Sequence, residues 1–214
     1  MQKITAIKVQ RKNKERVNIY LDGEFAFGLT RIVAGWLQVG QLLDEKKIEQ
    51  LKADDEREMA YIRALNYLSY RPRSIKEIEL NLKKYNVPET IIPEVIKRLK
   101  SNNFVNDQEF AKLWIENRNT FRPRGKRALQ VELRQKGINN EDIQPMLDEL
   151  VDEESLAYQA GLKKARILAN LEWQDFRRKL GAFLARRGFP YSVISPLLRP
   201  LWDEVHPEDD TEPL

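Results

Sequence analysis

Apolar residues recur at helical spacing along most of the chain, and the pattern itself repeats every 51 residues. The pairs Asn86-Val87, Gly137-Ile138 and Gly188-Phe189 mark equivalent points in three copies. Four apolar positions at helical spacing come after each pair and align between copies: Ile92, Val95, Ile96 and Leu99; Ile143, Met146, Leu147 and Leu150; Ile194, Leu197, Leu198 and Leu201. Tandem copies of a helical unit predict an extended array rather than an enzyme core wrapped round a pocket.

Each copy is expected to contain three helices. Asn86, Gly137 and Gly188 would end the second helix of their copy, because Asn and Gly best tolerate the left-handed conformation after a helix end. The pattern places the repeats at residues 51–103, 104–154 and 155–205. The sequence therefore predicts a mainly α fold with three tandem three-helix repeats in an elongated array, straight or curved.

The first part of the chain alternates apolar and polar residues with the period of a β-strand. Two alternating runs, 17–21 and 25–29, are joined by Asp22-Gly23, a pair typical of a type I′ hairpin turn. The segment Ile4 to Val9 could supply a third strand. We predict a small β-hairpin or three-stranded meander, with a linker helix, as an N-terminal extension over residues 1–50, and a disordered acidic tail over residues 206–214.

The residues needed for common kinds of catalysis are scarce. The chain has no cysteine, and its only histidine, His206, falls in the predicted tail, which argues against a Cys nucleophile, a His-based triad and a His-ligated metal site. The pairs Asp54-Asp55 and Glu153-Glu154 are expected at helix starts, where they offset the helix dipole. A metal-dependent nuclease built from carboxylates is the alternative interpretation. We expect a protein that is not an enzyme and uses no metal or cofactor.

The chain also lacks the apolar runs that membrane targeting requires. No stretch has the character of a signal peptide or the length of a membrane-spanning helix. The absence of cysteine suits a reducing compartment. We expect a cytoplasmic monomer that does not bind membranes.

Positive charge is concentrated in certain segments, although the formal net charge is only +4. Residues 71–136 and 156–188 are basic, whereas residues 137–155 carry only acidic charges. The turns Arg71-Pro72-Arg73 and Arg122-Pro123-Arg124 would present arginines, whose planar fork suits phosphate or carboxylate. The predicted contacts for a protein partner or DNA are Arg71, Arg73, Lys76, Lys83, Arg118, Arg122, Arg124, Lys126, Arg127, Arg134, Lys136, Arg177, Arg178, Arg186 and Arg187.

Two of these cations have a structural alternative. Arg118 and Arg127 could instead be internal ion-pair partners of Glu132 or Asp107, which would make them part of the scaffold.

The aromatic residues are expected to be structural. Phe110 and Trp114 stand at i and i+4 on an apolar helix face, which favours the core. Tyr70 and Phe121 precede the two Arg-Pro-Arg turns. Packing between adjacent helices is the favoured interpretation for both, and stacking on a nucleic-acid base is the alternative.

The spacing of several motifs resembles the bacterial RecX family. The resemblance covers roughly residues 56–201 and is most specific over 107–138. Its motifs are Arg73-Ser74-x-x-Glu77-Ile78-x-Leu80-x-Leu82, Asp107-x-x-Phe110-Ala111-x-x-Trp114-Ile115-x-x-Arg118 and Gly125-x-Arg127-x-Leu129-x-x-Glu132-Leu133-x-x-Lys136-Gly137-Ile138.

This resemblance implies a regulator of the RecA recombinase, acting in homologous recombination, DNA repair and the SOS response. Such a protein would inhibit RecA by binding the RecA–DNA filament, in its groove or at its growing end. It would also be expected to bind single- or double-stranded DNA.

Two alternatives to this function are compatible with the sequence. One is a DNA-binding protein whose basic side chains contact the phosphates directly, with little base specificity. The other is an adaptor whose N-terminal strands dock a partner through an exposed edge near Ile4 to Val9.

Overall fold

A computed structural model describes residues 1–207, which form two compact units. The N-terminal unit comprises Met1–Arg73 and Glu77–Val105, and the C-terminal unit comprises Ser74–Lys76 and the chain from Asn106 onward. The segment 208–214, which holds most of the predicted tail, lies outside the described residues.

The N-terminal unit begins with a four-stranded antiparallel sheet. Its strands are β1 (Gln2–Val9), β2 (Arg16–Leu21), β3 (Glu24–Thr30) and β4 (Leu42–Leu43), in the order β3-β2-β1-β4. Asp22 and Gly23 have φ angles of 50° and 95°, as a type I′ turn requires, so the predicted hairpin is confirmed. The three strands of the predicted meander are joined by a fourth, β4, which is too short to leave a pattern in the sequence. It pairs with Gln2 and Lys3.

A single long helix connects this sheet to the first repeat. Helix α1 (Arg31–Ala34) follows β3, and α2 (Glu45–Leu68) then runs without interruption for 24 residues. The predicted linker helix and the first helix of repeat 1 are therefore one element, and the expected boundary at residue 50 falls inside it.

A buried carboxylate joins α2 to the sheet. Asp55 accepts hydrogen bonds from the Thr30 backbone N–H and from Arg16 Nη2, the latter at 2.9 Å. The expectation that Asp54-Asp55 begins a helix was wrong, because both residues lie in the middle of α2. Glu153-Glu154 does lie in the first turn of its helix, as predicted.

The remaining helices form the three predicted repeats of three helices each. Repeat 1 is completed by α3 (Ile75–Lys84) and α4 (Ile92–Ser101); repeat 2 consists of α5 (Asp107–Phe121), α6 (Lys126–Gln135) and α7 (Asn140–Leu150); repeat 3 consists of α8 (Glu153–Leu168), α9 (Trp173–Arg186) and α10 (Tyr191–Val205). None of these described helices combines the length and apolar content needed to cross a bilayer.

The same left-handed residue ends the second helix of every repeat. Asn86, Gly137 and Gly188 have φ angles of 57°, 87° and 88°. In each case the next backbone N–H bonds back to the helix, as Val87 does to the Leu82 carbonyl at 3.2 Å. The predicted helix ends are confirmed.

Repeats 2 and 3 share one hydrophobic core in the C-terminal unit. Leu129 and Leu133 from α6 and Phe176, Leu180 and Leu184 from α9 are all fully buried in it. The equivalent helices of the two repeats therefore line the same core, because their apolar positions recur at the same phase.

The backbones of these two repeats touch at a pair of glycines. The Gly125 N–H, just before α6, donates to the Arg187 carbonyl at 3.0 Å. A Cβ on Gly125 would overlap the Gly188 carbonyl group, and a Cβ on Gly188 would overlap Ala128. Only glycine at both positions permits this approach.

His206 does not belong to a disordered tail, contrary to the prediction. Its ring stacks on Trp202 with centroids 3.7 Å apart, and Nε2 lies 2.6 Å from the Ala169 carbonyl oxygen. The chain is thus fixed beside the end of α8 as far as residue 206, because the aromatic cluster of repeat 3 includes the residue directly after α10.

Replacing Gly125 with alanine should destabilise the C-terminal unit. The added methyl group meets backbone, which cannot move aside as a flexible side chain can. We expect a loss of about 1–3 kcal/mol in the free energy of unfolding, measured by guanidinium titration. Gly181→Ala is the matched control, since its methyl group would find its nearest neighbour at 4.0 Å and alanine favours the helix by about 1 kcal/mol. Equal stability of the two variants would contradict the close approach.

Candidate functional site

The glycine contact brings arginines of two repeats together. Arg122 and Arg124 flank Pro123 before α6, and Arg187 follows α9. Arg187 Nη1 donates to the Pro123 carbonyl oxygen at 3.0 Å, and its guanidinium lies over the Phe183 ring at 4.5 Å. Partial burial, and then the like charges of Arg124 and Arg122, lower the pKa of Arg187 from its ordinary value. Three positive charges therefore share a small space.

Glu132 on α6 neutralises part of this charge and organises its surroundings. One carboxylate oxygen accepts from Trp114 Nε1 at 2.7 Å and from Arg118 Nε at 2.8 Å. The other oxygen lies 3.0 Å from Arg124 Nε. Arg118 is therefore an internal ion-pair partner, which was the structural alternative for it.

Trp114 is the centre of a small stacked cluster in repeat 2. Phe110 packs on its ring with centroids 5.8 Å apart, and both aromatics belong to the core region as expected. Arg118 lies 4.5 Å and Lys136 Nζ 4.8 Å from the Trp114 ring centroid. Arg118 and Lys136 therefore make cation–π contacts with the indole ring, and Arg118 also forms an ion pair with Glu132. These contacts lie within repeat 2.

Other predicted contacts in the C-terminal unit are also engaged within the chain. Lys126 Nζ pairs with Asp148 at 2.7 Å, and the hydrogen bond lowers the pKa of Asp148. Arg178 pairs with Asp175 at 2.7 Å. Arg134 donates to the side chain of Asn140.

Four of the predicted arginines are exposed and have neither an ion pair nor a side-chain hydrogen bond among residues 1–207. This set, here called the open arginines, comprises Arg122, Arg127, Arg177 and Arg186. Arg127 and Arg186 line an open groove of about 840 Å³ between repeats 2 and 3, together with Phe189 and Tyr191. Arg127 therefore did not form either of the ion pairs considered for it.

A second basic groove lies between α8 and α9. Two of its four cations, Lys164 and Lys179, were not among the predicted contacts. This α8–α9 groove has a volume of about 350 Å³ and is lined by Lys164, Leu168, Arg178, Lys179, Ala182 and Arg186. The only sequence signal for Lys164 and Lys179 was the basic character of residues 156–188.

The predicted contacts of the N-terminal unit lie mostly in local pairs. Arg71 Nη2 bonds Glu77 at 2.9 Å, and Arg73 lies 4.0 Å from the centroid of the Tyr67 ring. Lys83 pairs with Glu89 at 2.9 Å, and this contact raises the pKa of Lys83 and lowers that of Glu89. Lys76, which groups with the C-terminal unit, is exposed.

Tyr70 and Phe121 are exposed, so the expectation that they pack between helices was wrong. Their exposed fractions are 84% and 71%. Each ring stands directly before the first arginine of an Arg-Pro-Arg turn.

The arrangement suits the binding of anions. Arg122 and Arg187 lie near each other and carry no carboxylate partner in the described chain, so their repulsion is relieved when a phosphate or carboxylate binds. Residues 1–207 contain no group of three or more His, Cys, Asp or Glu side chains placed to hold a metal ion.

Replacing Glu132 with glutamine should destabilise repeat 2. The amide keeps the shape of the side chain but removes the charge that Arg118 and Arg124 share, so we expect a loss of about 1–3 kcal/mol in unfolding free energy. Glu116→Gln, at an exposed site on α5 with no ion pair in the described chain, should change stability by less than about 0.5 kcal/mol. Guanidinium unfolding measures both, and equal effects would remove the organising role of Glu132.

Models of one protein family match four successive segments of the chain. They describe the N-terminal domain of the regulatory protein RecX at residues 2–44 and its first, second and third three-helix domains at residues 60–99, 106–147 and 152–198. The matches coincide with the sheet and with the three helical repeats.

Individual relatives agree with this assignment. The regulatory proteins RecX of Bacillus pumilus and Bacillus subtilis are 34% and 35% identical to the chain; the alignments cover 99% and 98% of this chain and 82% and 80% of theirs. A crystal structure of a regulatory protein RecX matches with a TM-score of 0.75 at 32% identity, over 92% of this chain and 98% of its own. RecX from Lactobacillus salivarius matches with a TM-score of 0.60 at 27% identity, over 69% and 97%. The chain therefore belongs to the RecX family of regulatory proteins.

Proposed function

We propose that this protein inhibits the RecA recombinase by binding the RecA–DNA filament through the cationic surface of repeats 2 and 3. The family assignment supports a regulatory role, and the observation that carries the proposal is the set of open arginines. Arg122, Arg127 and Arg186 are presented on a rigid core, yet no carboxylate in the described chain takes up their charge.

The distinction between paired and open cations narrows the contact surface. Arg118, Arg124 and Lys126 hold the scaffold through ion pairs of 2.7–3.0 Å. Open arginines keep their charge available for a partner, which steers association and supplies charge-assisted hydrogen bonds. Phosphates and carboxylates are both present on a filament of protein and DNA, so one such surface can contact either component.

The repeats also favour a ligand that offers many equivalent sites. The N-terminal unit has its own Arg-Pro-Arg turn at residues 71–73, with an exposed ring before it. Linked modules bind a polymer more tightly than each module alone, because the second contact becomes intramolecular.

Removing three open arginines should weaken inhibition. For Arg122→Ala/Arg127→Ala/Arg186→Ala we expect the protein concentration for half-inhibition to rise at least roughly tenfold, since each lost charge-assisted contact costs about 1.5–3 kcal/mol. The measurements are the single-stranded-DNA-dependent ATPase of RecA and strand exchange.

The control variant for this test is Arg11→Ala/Lys12→Ala/Lys14→Ala, which removes the same charge from the exposed β1–β2 turn. It should inhibit like the natural protein. If the two variants inhibit equally, the contact surface is wrong. If the natural protein at stoichiometric amounts leaves RecA unaffected, the proposed function itself is wrong.

Direct binding of single-stranded DNA is the second candidate function. The observation that favours it is the exposure of Tyr70 and Phe121 beside Arg71 and Arg122. An exposed ring can stack on an unpaired base while the neighbouring arginine contacts the phosphate.

Phe121→Ala should then weaken binding to a 30-nucleotide oligothymidylate by about 1–3 kcal/mol and leave duplex binding unchanged, as measured by fluorescence anisotropy. Phe25→Ala, at another exposed phenylalanine that is 59% exposed, is the control. The triple arginine variant should reduce the salt dependence of log K by roughly 2 units of slope, because about 0.7 counterions are released per neutralised phosphate. A natural protein that shows no salt-dependent binding would remove this candidate.

Co-sedimentation separates the two candidates. A RecA filament assembled on DNA should carry the protein to the pellet under salt conditions at which DNA alone does not. Sedimentation with DNA alone to the same extent would favour direct DNA binding.

A further inference from the structure

The α8–α9 groove is cationic throughout. Its charged lining residues are Lys164 from α8 and Arg178, Lys179 and Arg186 from α9, and no carboxylate lines it. Lys179 and Arg186 have no ion pair among the described residues. A concave surface with four positive charges, lined also by the apolar side chains Leu168 and Ala182, is suited to an extended acidic segment.

Three acidic side chains of α9 and α10 are engaged by partners within the chain. Asp175 pairs with Arg178 at 2.7 Å. At the end of α10, Asp203 pairs with Arg199 at 2.9 Å, and Glu204 accepts from the Tyr158 hydroxyl at 3.3 Å. Asp175 therefore offsets the charge of Arg178, whereas Lys164, Lys179 and Arg186 have no ion pair among residues 1–207.

The chain itself leaves the described region next to this groove. His206 Nε2 lies 2.6 Å from the carbonyl oxygen of Ala169, and Ala169 directly follows Leu168, which lines the groove. The His206 ring is held in place by its stacking on Trp202. His206, one residue before the last described one, is thus anchored beside the groove.

The sequence beyond Pro207 is strongly acidic. Residues 208–214 read Glu-Asp-Asp-Thr-Glu-Pro-Leu, with four acidic and no basic side chains. Seven residues reach about 23 Å when extended, at about 3.3 Å per residue. Lys164 lies one helical turn, about 6 Å, from Leu168, and Arg178 and Arg186 are about 12 Å apart along α9. The segment is long enough to reach every cation of the groove.

We propose that the acidic segment 208–214 binds in the α8–α9 groove of its own chain and competes there with external anions. Four acidic side chains meet three cations without an ion pair among residues 1–207, Lys164, Lys179 and Arg186, and the anchored His206 supplies the segment at high local concentration. Because Arg186 also lines the groove between repeats 2 and 3, the segment would take one open arginine away from a partner. This is an autoinhibitory contact, and it does not depend on RecA or DNA being the partner.

The test uses a fluorescein-labelled peptide with the sequence of residues 208–214 as the probe, added to full-length protein. In the natural protein the tethered segment competes at millimolar effective concentration, so the peptide should bind weakly. Glu208→Gln/Asp209→Asn/Asp210→Asn/Glu212→Gln removes the competitor and should bind the peptide at least roughly threefold more tightly by anisotropy at low salt. Adding Lys179→Ala and Arg186→Ala to that variant should abolish the gain.

The matched control is Glu15→Gln/Glu24→Gln/Glu49→Gln/Glu56→Gln, which makes the same change in net charge at exposed sites of the N-terminal unit. It should bind the peptide as weakly as the natural protein. Equal tightening in both quadruple variants would overturn the proposal, because net charge would then explain it. No peptide binding to the variant with the neutralised segment, or binding that survives the loss of Lys179 and Arg186, would overturn it too.

Discussion

The backbone contact between Gly125 and Gly188 is the constraint on which the cationic surface depends. Because neither residue has a side chain, the turn before α6 can lie directly against the turn after α9, with an N–H to carbonyl bond of 3.0 Å. Arg122 and Arg124 leave one turn, and Arg187 leaves the other. A short approach between two backbones thus places three like charges side by side, which side-chain packing alone would oppose.

The negative charge of Glu132 offsets part of this positive charge. Its carboxylate forms ion pairs with Arg118 and Arg124 and accepts a hydrogen bond from the indole N–H of Trp114. Two of the cations are therefore held within repeat 2. The open arginines have no ion pair among residues 1–207. The same division recurs elsewhere: Asp148 engages Lys126 and Asp175 engages Arg178. Function in this family member is therefore best sought among the cations that the fold leaves unpaired.

In the N-terminal unit, a buried carboxylate adds to the apolar contact that Ile48 and Leu51 of α2 make with the sheet. Asp55 satisfies the Thr30 N–H and the Arg16 guanidinium, so α2 serves both the sheet and repeat 1. The sequence pattern predicted the hairpin and the helices, but it also predicted that Asp55 lies at the start of a helix and not inside one. Its role depends on β2 and β3 folding against the middle of α2, and no local pattern encodes that contact.

The sequence by itself determined the local structure and its repetition. Helical periodicity, the left-handed positions at Asn86, Gly137 and Gly188 and the Asp22-Gly23 turn are consequences of backbone sterics and apolar spacing within a few residues. Only the tertiary structure decided which of fifteen candidate cations are paired, because pairs such as Arg118–Glu132 and Lys126–Asp148 join residues from different helices. It also decided that Tyr70 and Phe121 are exposed and that His206 is anchored, since burial depends on which elements meet.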